Sequence, residues 1–266
     1  MKIGLIGTGN MGAALARAMQ RSSLQPTLLL ANRTAEKAQK LAAQLGGTVV
    51  TNEEAAAQSD FLFLGVKPQG LAALLDTLQK PLSARKTPPV LVSMAAGIDT
   101  EWLRRHLKTP CPCIRIMPNT PVSVGQGVIL YTAVDTSAQQ LSDFRALLCE
   151  AGEVLFLEEA KFDAASAISG CGPAYCYAFA DALAMGGVRC GLPYETALRL
   201  AAATLRGSAE LLLQSGEHPA VLMTKVCSPA GTTIEGVAAL RAGGFESAVS
   251  DAVTAACARS ASLAKK

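Results

Sequence analysis

The sequence predicts a doubly wound α/β domain with a mostly parallel sheet, followed by an all-helical domain. Three observations carry this expectation. The first half of the chain alternates short apolar runs with amphipathic helical patterns, as a parallel sheet covered by helices on both faces requires. A Gly7-Thr8-Gly9-Asn10-Met11-Gly12 turn joins the first apolar run to the first helical pattern. From about Lys161 the strand signals stop, and helical patterns separated by Gly- and Pro-containing turns continue to the end.

Taken in order, the strands are expected at Lys2–Ile6, Thr27–Ala31, Asp60–Leu64, Val90–Ser93 and Pro112–Met117. Between them Met11–Gln20, Ala35–Leu45, Gly70–Gln79 and Thr100–Leu107 place apolar residues three and four apart and read as helices. Two further β-like runs, Gly127–Tyr131 and Glu153–Leu157, flank a helix at Ala138–Cys149 and close the sheet, so the first domain spans residues 1–157. In residues 158–266, Pro173, Pro193 and Pro219 each stand where a helix would begin, a position at which the missing N–H of proline is harmless. Helices expected at Pro173–Cys190, Tyr194–Leu213 and Glu246–Leu263 carry more apolar residues than one helical domain needs to cover. A homodimer is the minimum expectation.

Composition excludes several function classes. Half of the 266 residues are apolar and the net charge is only +3 with Lys and Arg scattered, so there is no basic stripe for a nucleic-acid backbone. Eight cysteines are sparse in a chain long enough to build its own core, and are expected reduced. Cys111 and Cys113 are separated by one residue, and there are only two histidines, so no zinc-ligand spacing can be assembled and no metal is expected. The N-terminus runs straight into the first strand without an export pattern, and no apolar stretch is long enough to span a bilayer. A cytoplasmic location is the expectation.

The glycine turn has the context that gives its pattern meaning. Gly7 allows the tight turn, Gly9 lets a pyrophosphate approach the backbone, and Gly12 lets helix and strand pack closely. Backbone N–H groups and the positive helix end favour the anion. At the end of the second strand, where an acidic residue would bind the ribose of NAD, the chain reads Ala31-Asn32-Arg33-Thr34. No carboxylate repels a 2′-phosphate there, and Arg33 offers a fork of donors, so NADP(H) is expected as the preferred cofactor, with NADH as the second donor.

Ligands of open α/β sheets bind outside the carboxyl ends of the strands. The segments found there are Asn52, Val66-Lys67-Pro68-Gln69, Ser93-Met94-Ala95-Ala96-Gly97 and Met117-Pro118-Asn119-Thr120-Pro121. In the helical domain, Ser169-Gly170-Cys171-Gly172-Pro173-Ala174-Tyr175 and Ser228-Pro229-Ala230-Gly231-Thr232-Thr233 look chemical. The second places small residues and hydroxyls before a helix expected to start near Thr233, an arrangement that can receive a carboxylate.

Together these motifs closely resemble the pyrroline-5-carboxylate reductase family over essentially the whole chain. The resemblance implies a Rossmann domain, a helical domain that interlocks with a second subunit as a dimer or ring of dimers, and NADPH-dependent reduction of L-1-pyrroline-5-carboxylate to L-proline. It implies that Ser228, Gly231 and the N–H groups of Thr232 and Thr233 hold the substrate carboxylate, while the Thr233 hydroxyl points at the ring nitrogen. Gly9, Asn10, Met11, Asn32, Arg33 and Asn52 would hold the adenosine and phosphates. Val66, Lys67, Pro68, Ala95 and Asn119 would line the nicotinamide end. Ala230 stands where the family usually has glycine, and Cys171 where serine is common.

Two alternatives remain at this stage. A β-hydroxyacid dehydrogenase would need a catalytic lysine in the second domain, for which Lys225 is the candidate. A non-catalytic NADP sensor would keep the glycine turn and lose the Ser228–Thr233 loop. His106 and His218 sit at expected helix ends and read as structural residues.

Overall fold

A computed structural model describes residues 1–264. In it the first half of the chain forms an eight-stranded sheet of β1 (Lys2–Ile6), β2 (Thr27–Ala31), β3 (Thr48–Val49), β4 (Phe61–Leu64), β5 (Val90–Ser93), β6 (Cys113–Pro118), β7 (Gly127–Val134) and β8 (Gly152–Phe156). Their order across the sheet is β3-β2-β1-β4-β5-β6-β7-β8. All neighbours are parallel except β6 and β7, which pair antiparallel through Cys113↔Val134 to Pro118↔Ile129. Strand order reverses between β1 and β4, the place where such sheets open a crevice.

The period-2 alternation of side chains divides the core in two. Ile3, Leu5, Phe61, Phe63, Val92 and Ile116 face one side, where they meet Leu15 and Met19 of α1 (Asn10–Arg21), Leu41 of α2 (Ala35–Leu45) and Phe144 of α6 (Ala138–Leu148). Leu62, Leu64, Leu91 and Cys113 face the other side. They meet Ala55 of α3 (Asn52–Gln58), Leu75 and Leu78 of α4 (Pro68–Ser83) and Leu103 of α5 (Thr100–His106). Each large side chain buried in this way contributes about 1.5–3 kcal/mol.

The remaining helices are α7 (Phe162–Ser169), α8 (Gly172–Arg189), α9 (Tyr194–Ser215), α10 (Pro219–Lys225), α11 (Thr232–Ala242) and α12 (Phe245–Ala264). No described helix is long and apolar enough to cross a membrane. The chain divides into two compact units: Met1–Gly170 together with the residues from Cys257 onward, and Cys171–Ala256. This division differs from the boundary expected at 157. Helix α7 packs with the sheet, with Phe162 buried under Arg115, and Ser260 near the end of α12 hydrogen-bonds Asp163 at 2.8 Å.

Within the second unit α8 and α9 pack closely, since a Cβ on Gly187 would come within 2.8 Å of the Ala197 Cβ, and the Tyr194 hydroxyl donates to Asp181 at 2.8 Å. An open groove of about 420 Å³ runs between α8, α11 and α12, lined by Phe179, Leu183, Leu240, Phe245 and Val249.

Candidate active site

The glycine turn is a close-packed corner. Gly7 has φ +102°, and a Cβ there would run into the carbonyl of Gly65; a Cβ on Gly12 would run into the carbonyl of Gly7. The ladder continues into the turn, with Gly7 N–H donating to Ala31 O at 2.8 Å and Gly65 N–H donating to Ile6 O at 2.7 Å. Gly9 is different, because nothing lies within 4 Å of the place its Cβ would take. It is also the N-cap of α1, without a side-chain cap and without an acidic residue in the first turn. The first N–H groups of α1 therefore have no intrahelical partner and no competing carboxylate.

Asn32 pins this turn to the end of β2. Its Oδ1 accepts from Thr8 N–H at 3.0 Å, and its Nδ2 donates to Thr34 O at 2.9 Å. The buried Thr8 hydroxyl has no hydrogen-bond partner among the described residues. Arg33 beside it is exposed and makes no ion pair among the described residues, and the Thr34 N-cap of α2 makes no side-chain cap bond. An open face over Gly9, free helix N–H groups and an unpaired guanidinium fit a dinucleotide with a 2′-phosphate. Asn52 begins α3, behind the Thr51–Glu54 capping box.

At the carboxyl ends of β4, β5 and β6 lies a cleft of about 340 Å³. Of the expected residues it brings together Met11, Val66, Lys67, Pro68 and Ala95. Met94, Ala96, Met117 and Pro118, from the strand-end segments, complete the walls. Gly65 lines it too and was missed; the available signal was a glycine directly after the apolar Phe61–Leu64 run. Asn119 does not line the cleft. Its Oδ1 accepts from Val128 N–H at 2.8 Å and its Nδ2 donates to Ser169 O at 2.9 Å, so its amide is largely spent on tying β6 to β7 and α7.

In the second unit the Ser228–Thr233 loop turns on a Gly231 N–H to Ser228 O bond of 3.0 Å. A Cβ on Gly231 would strike the Ser228 hydroxyl, so a larger residue here would displace that hydroxyl. Gly231 is the N-cap of α11 and makes no side-chain cap bond, which leaves the N–H groups of Thr232 and Thr233 without intrahelical partners beside exposed hydroxyls.

Comparison with known proteins agrees with both halves. The family pattern described as pyrroline-5-carboxylate reductase dimerisation matches residues 159–263, and one described as NADP oxidoreductase, coenzyme F420-dependent, matches residues 2–97. A pyrroline-5-carboxylate reductase of Pseudomonas aeruginosa is 39% identical over 269 residues, covering 100% of this chain and 97% of that protein. The chain belongs to the pyrroline-5-carboxylate reductase family. A solved member from Coxiella burnetii superimposes with TM-score 0.91 at 28% identity, covering 98% of each chain. One from Plasmodium falciparum, solved with NADP bound, gives TM-score 0.85 at 28% identity over 99% of this chain and 98% of that one.

Against the usual reductase pattern, Ala230 stands out in the structure as well as in the sequence. Its φ is +55°, a left-handed conformation that glycine adopts freely and alanine does not. Lys225, the lysine a dehydrogenase of the β-hydroxyacid type would need, holds Glu217 through both carboxylate oxygens at 2.6 Å. Both histidines have structural partners. His218 Nδ1 accepts from Ala220 N–H at 3.2 Å as the cap of α10, while His106 stacks on Trp102 and reaches the Trp102 carbonyl through Nδ1 at 2.9 Å. Burial pushes the Cys111 thiol up to about 11 and the Cys113 thiol up to about 12, so neither is a thiolate near neutral pH. No group of side chains among the described residues could hold a metal ion.

Proposed function

We infer that this chain reduces the C=N bond of L-1-pyrroline-5-carboxylate to give L-proline with NADPH, the last step of proline biosynthesis. The observation that carries this reading is the Ser228–Thr233 loop at the uncapped start of α11, in a chain that also holds a dinucleotide cradle. In the reading, Ser228 and the N–H groups of Thr232 and Thr233 hold the substrate carboxylate, and the Thr233 hydroxyl orients the ring nitrogen. A cyclic imine can arrive already protonated, so no strong general acid is needed, in keeping with two histidines that are engaged elsewhere.

NADPH supplies the hydride when bound. The residues at the β4, β5 and β6 ends, including Met11, Val66, Pro68 and Ala95, orient its reactive ring, and Asn10, Asn32, Arg33 and Asn52 hold the adenosine end. NADH can serve in its place, with the Arg33 contact to the 2′-phosphate lost. The working form is a homodimer or a ring of dimers located in the cytoplasm. The functional division falls at residue 157/158, close to the 159–263 span of the dimerisation pattern.

Two observations oppose the alternatives: the Lys225 amine is engaged by Glu217, and the carboxylate loop is retained. The test is NADPH oxidation followed by absorbance, with DL-pyrroline-5-carboxylate and a panel of β-keto acids offered separately. Turnover is expected with the imine alone. Thr233→Ala is expected to lower kcat/KM for the imine by ~10-fold through the loss of one aimed hydrogen bond. Wild-type kinetics in that variant would remove Thr233 from the mechanism.

A further inference from the structure

Strand β6 carries a charge that packing alone does not account for. Its neighbours Cys113, Ile114 and Ile116 are buried and apolar, yet Arg115 between them is only 6% exposed. A buried ion pair seldom stabilises more than apolar residues of the same volume, so a charge at this position calls for another reason. Arg115 also carries a visible cost, since its Nε is buried without a partner among the described residues.

The contacts of Arg115 supply that reason. Its guanidinium lies 4.4 Å from the centre of the Phe162 ring, and its Nη1 is paired with the Glu159 carboxylate. The second oxygen of that carboxylate accepts from the Thr100 hydroxyl at 2.9 Å and from Thr100 N–H at 3.3 Å. Thr100 is the first residue of α5 and follows the Met94-Ala95-Ala96 wall of the cleft after three residues, while Met117 and Pro118, which also line the cleft, follow Arg115 on β6. Sheet register places Arg115 next to Ser93, whose hydroxyl accepts from Ala95 N–H at 3.4 Å as the chain enters the first wall. The Arg115–Glu159 pair and the Glu159–Thr100 hydrogen bonds thus tie together the chain segments that flank two walls of the same cleft.

We propose that Arg115 and Glu159 are positioning residues that set the separation of these walls, and hence the fit of the nicotinamide half of the cofactor, without touching it. The proposal rests on the NADPH reading above. Its predicted signature is selective: affinity for the whole dinucleotide depends on the clamp, while affinity for the adenosine half, held at Gly9 and Arg33, does not.

Calorimetric titration with NADPH and, separately, with adenosine 2′,5′-bisphosphate tests this. Wild-type protein is expected to bind both; absence of NADPH binding by the wild type would overturn the cofactor reading and the clamp with it. Arg115→Met is expected to weaken NADPH binding about tenfold and to leave adenosine 2′,5′-bisphosphate within about twofold, with Arg115→Lys recovering part of the loss. The Glu159 left behind has a side chain 34% exposed and can be hydrated. Thr100→Val, which removes one hydrogen bond, is expected to weaken NADPH binding about threefold, and it decides the matter alone if Arg115→Met does not fold. Equal weakening of both ligands, or unchanged NADPH affinity in the folded variants, would overturn the proposal.

Discussion

The two units of this chain solve the problem of burial in opposite ways. The sheet-containing unit buries Phe61, Phe63, Phe144, Leu15, Leu75 and many other large side chains on both faces of its strands. In the helical unit, among the described residues, the buried side chains are four alanines, Ala180, Ala184, Ala197 and Ala201, along the α8–α9 contact. Meanwhile Tyr177, Leu183, Leu200, Leu211, Leu213 and Val249 stand exposed. One unit completes a core by itself. The other presents apolar faces of the kind that a second copy would cover, in agreement with the dimerisation pattern that it matches.

The largest effect is expected where that contrast is attacked directly. Leu183→Arg places a charge in the apolar groove of α8 and should weaken self-association about 100-fold or more in sedimentation velocity, while NADPH affinity, resting on the other unit, stays within about threefold. An unchanged oligomer would break the comparison, because the exposed face would then have another purpose. Arg33→Ala sharpens it from the other side. It should raise KM for NADPH about tenfold and that for NADH less than about twofold, with self-association untouched; equal changes for the two nucleotides would remove Arg33 from 2′-phosphate recognition.

The smallest effect is expected at Ala230. A left-handed alanine costs about 1 kcal/mol relative to glycine, so Ala230→Gly should lower KM for the imine by about two- to fivefold. The added freedom of the unfolded chain offsets most of this in thermal melts, leaving Tm nearly unchanged. An unchanged KM would mean that the strain at φ +55° does not alter how the Ser228–Thr233 loop meets the imine.

Much of the fold was legible because alternation and turn chemistry coincide. β1, β2, α2 and β5 fall at the expected limits, each bounded by Gly, Pro or a capping residue. Helix α3 was not expected: its seven residues, Asn52–Gln58, are too short and too Ala- and Glu-rich to show a periodic apolar stripe. The Thr51–Glu54 capping box was its one local mark. Helix α4 begins at Pro68 rather than Gly70, with proline in the first-turn position that favours it. β7 runs on to Val134, past the expected end at Tyr131, because its pairing with β6 holds Thr132, Ala133 and Val134 in register. That pairing is antiparallel, which hydrophobic pattern alone does not encode. In the site, the glycine turn and the cleft segments were legible because each stands directly after an apolar strand run. The Arg115–Glu159–Thr100 clamp was not, since its members lie 44 and 59 residues apart and meet only through the sheet.

The first unit is discontinuous along the chain, and this bears on the order in which the molecule is made. Asp163 in α7 finds its partner Ser260 only 97 residues later. A ribosome emits the sheet and α7 first, then the whole helical unit, and after it the segment that returns to α7. The nucleotide-binding body can therefore assemble most of its core during synthesis, but its final contact is made after the helical unit has emerged. Deletion of the segment from Cys257 onward would thus disturb the unit that is built first.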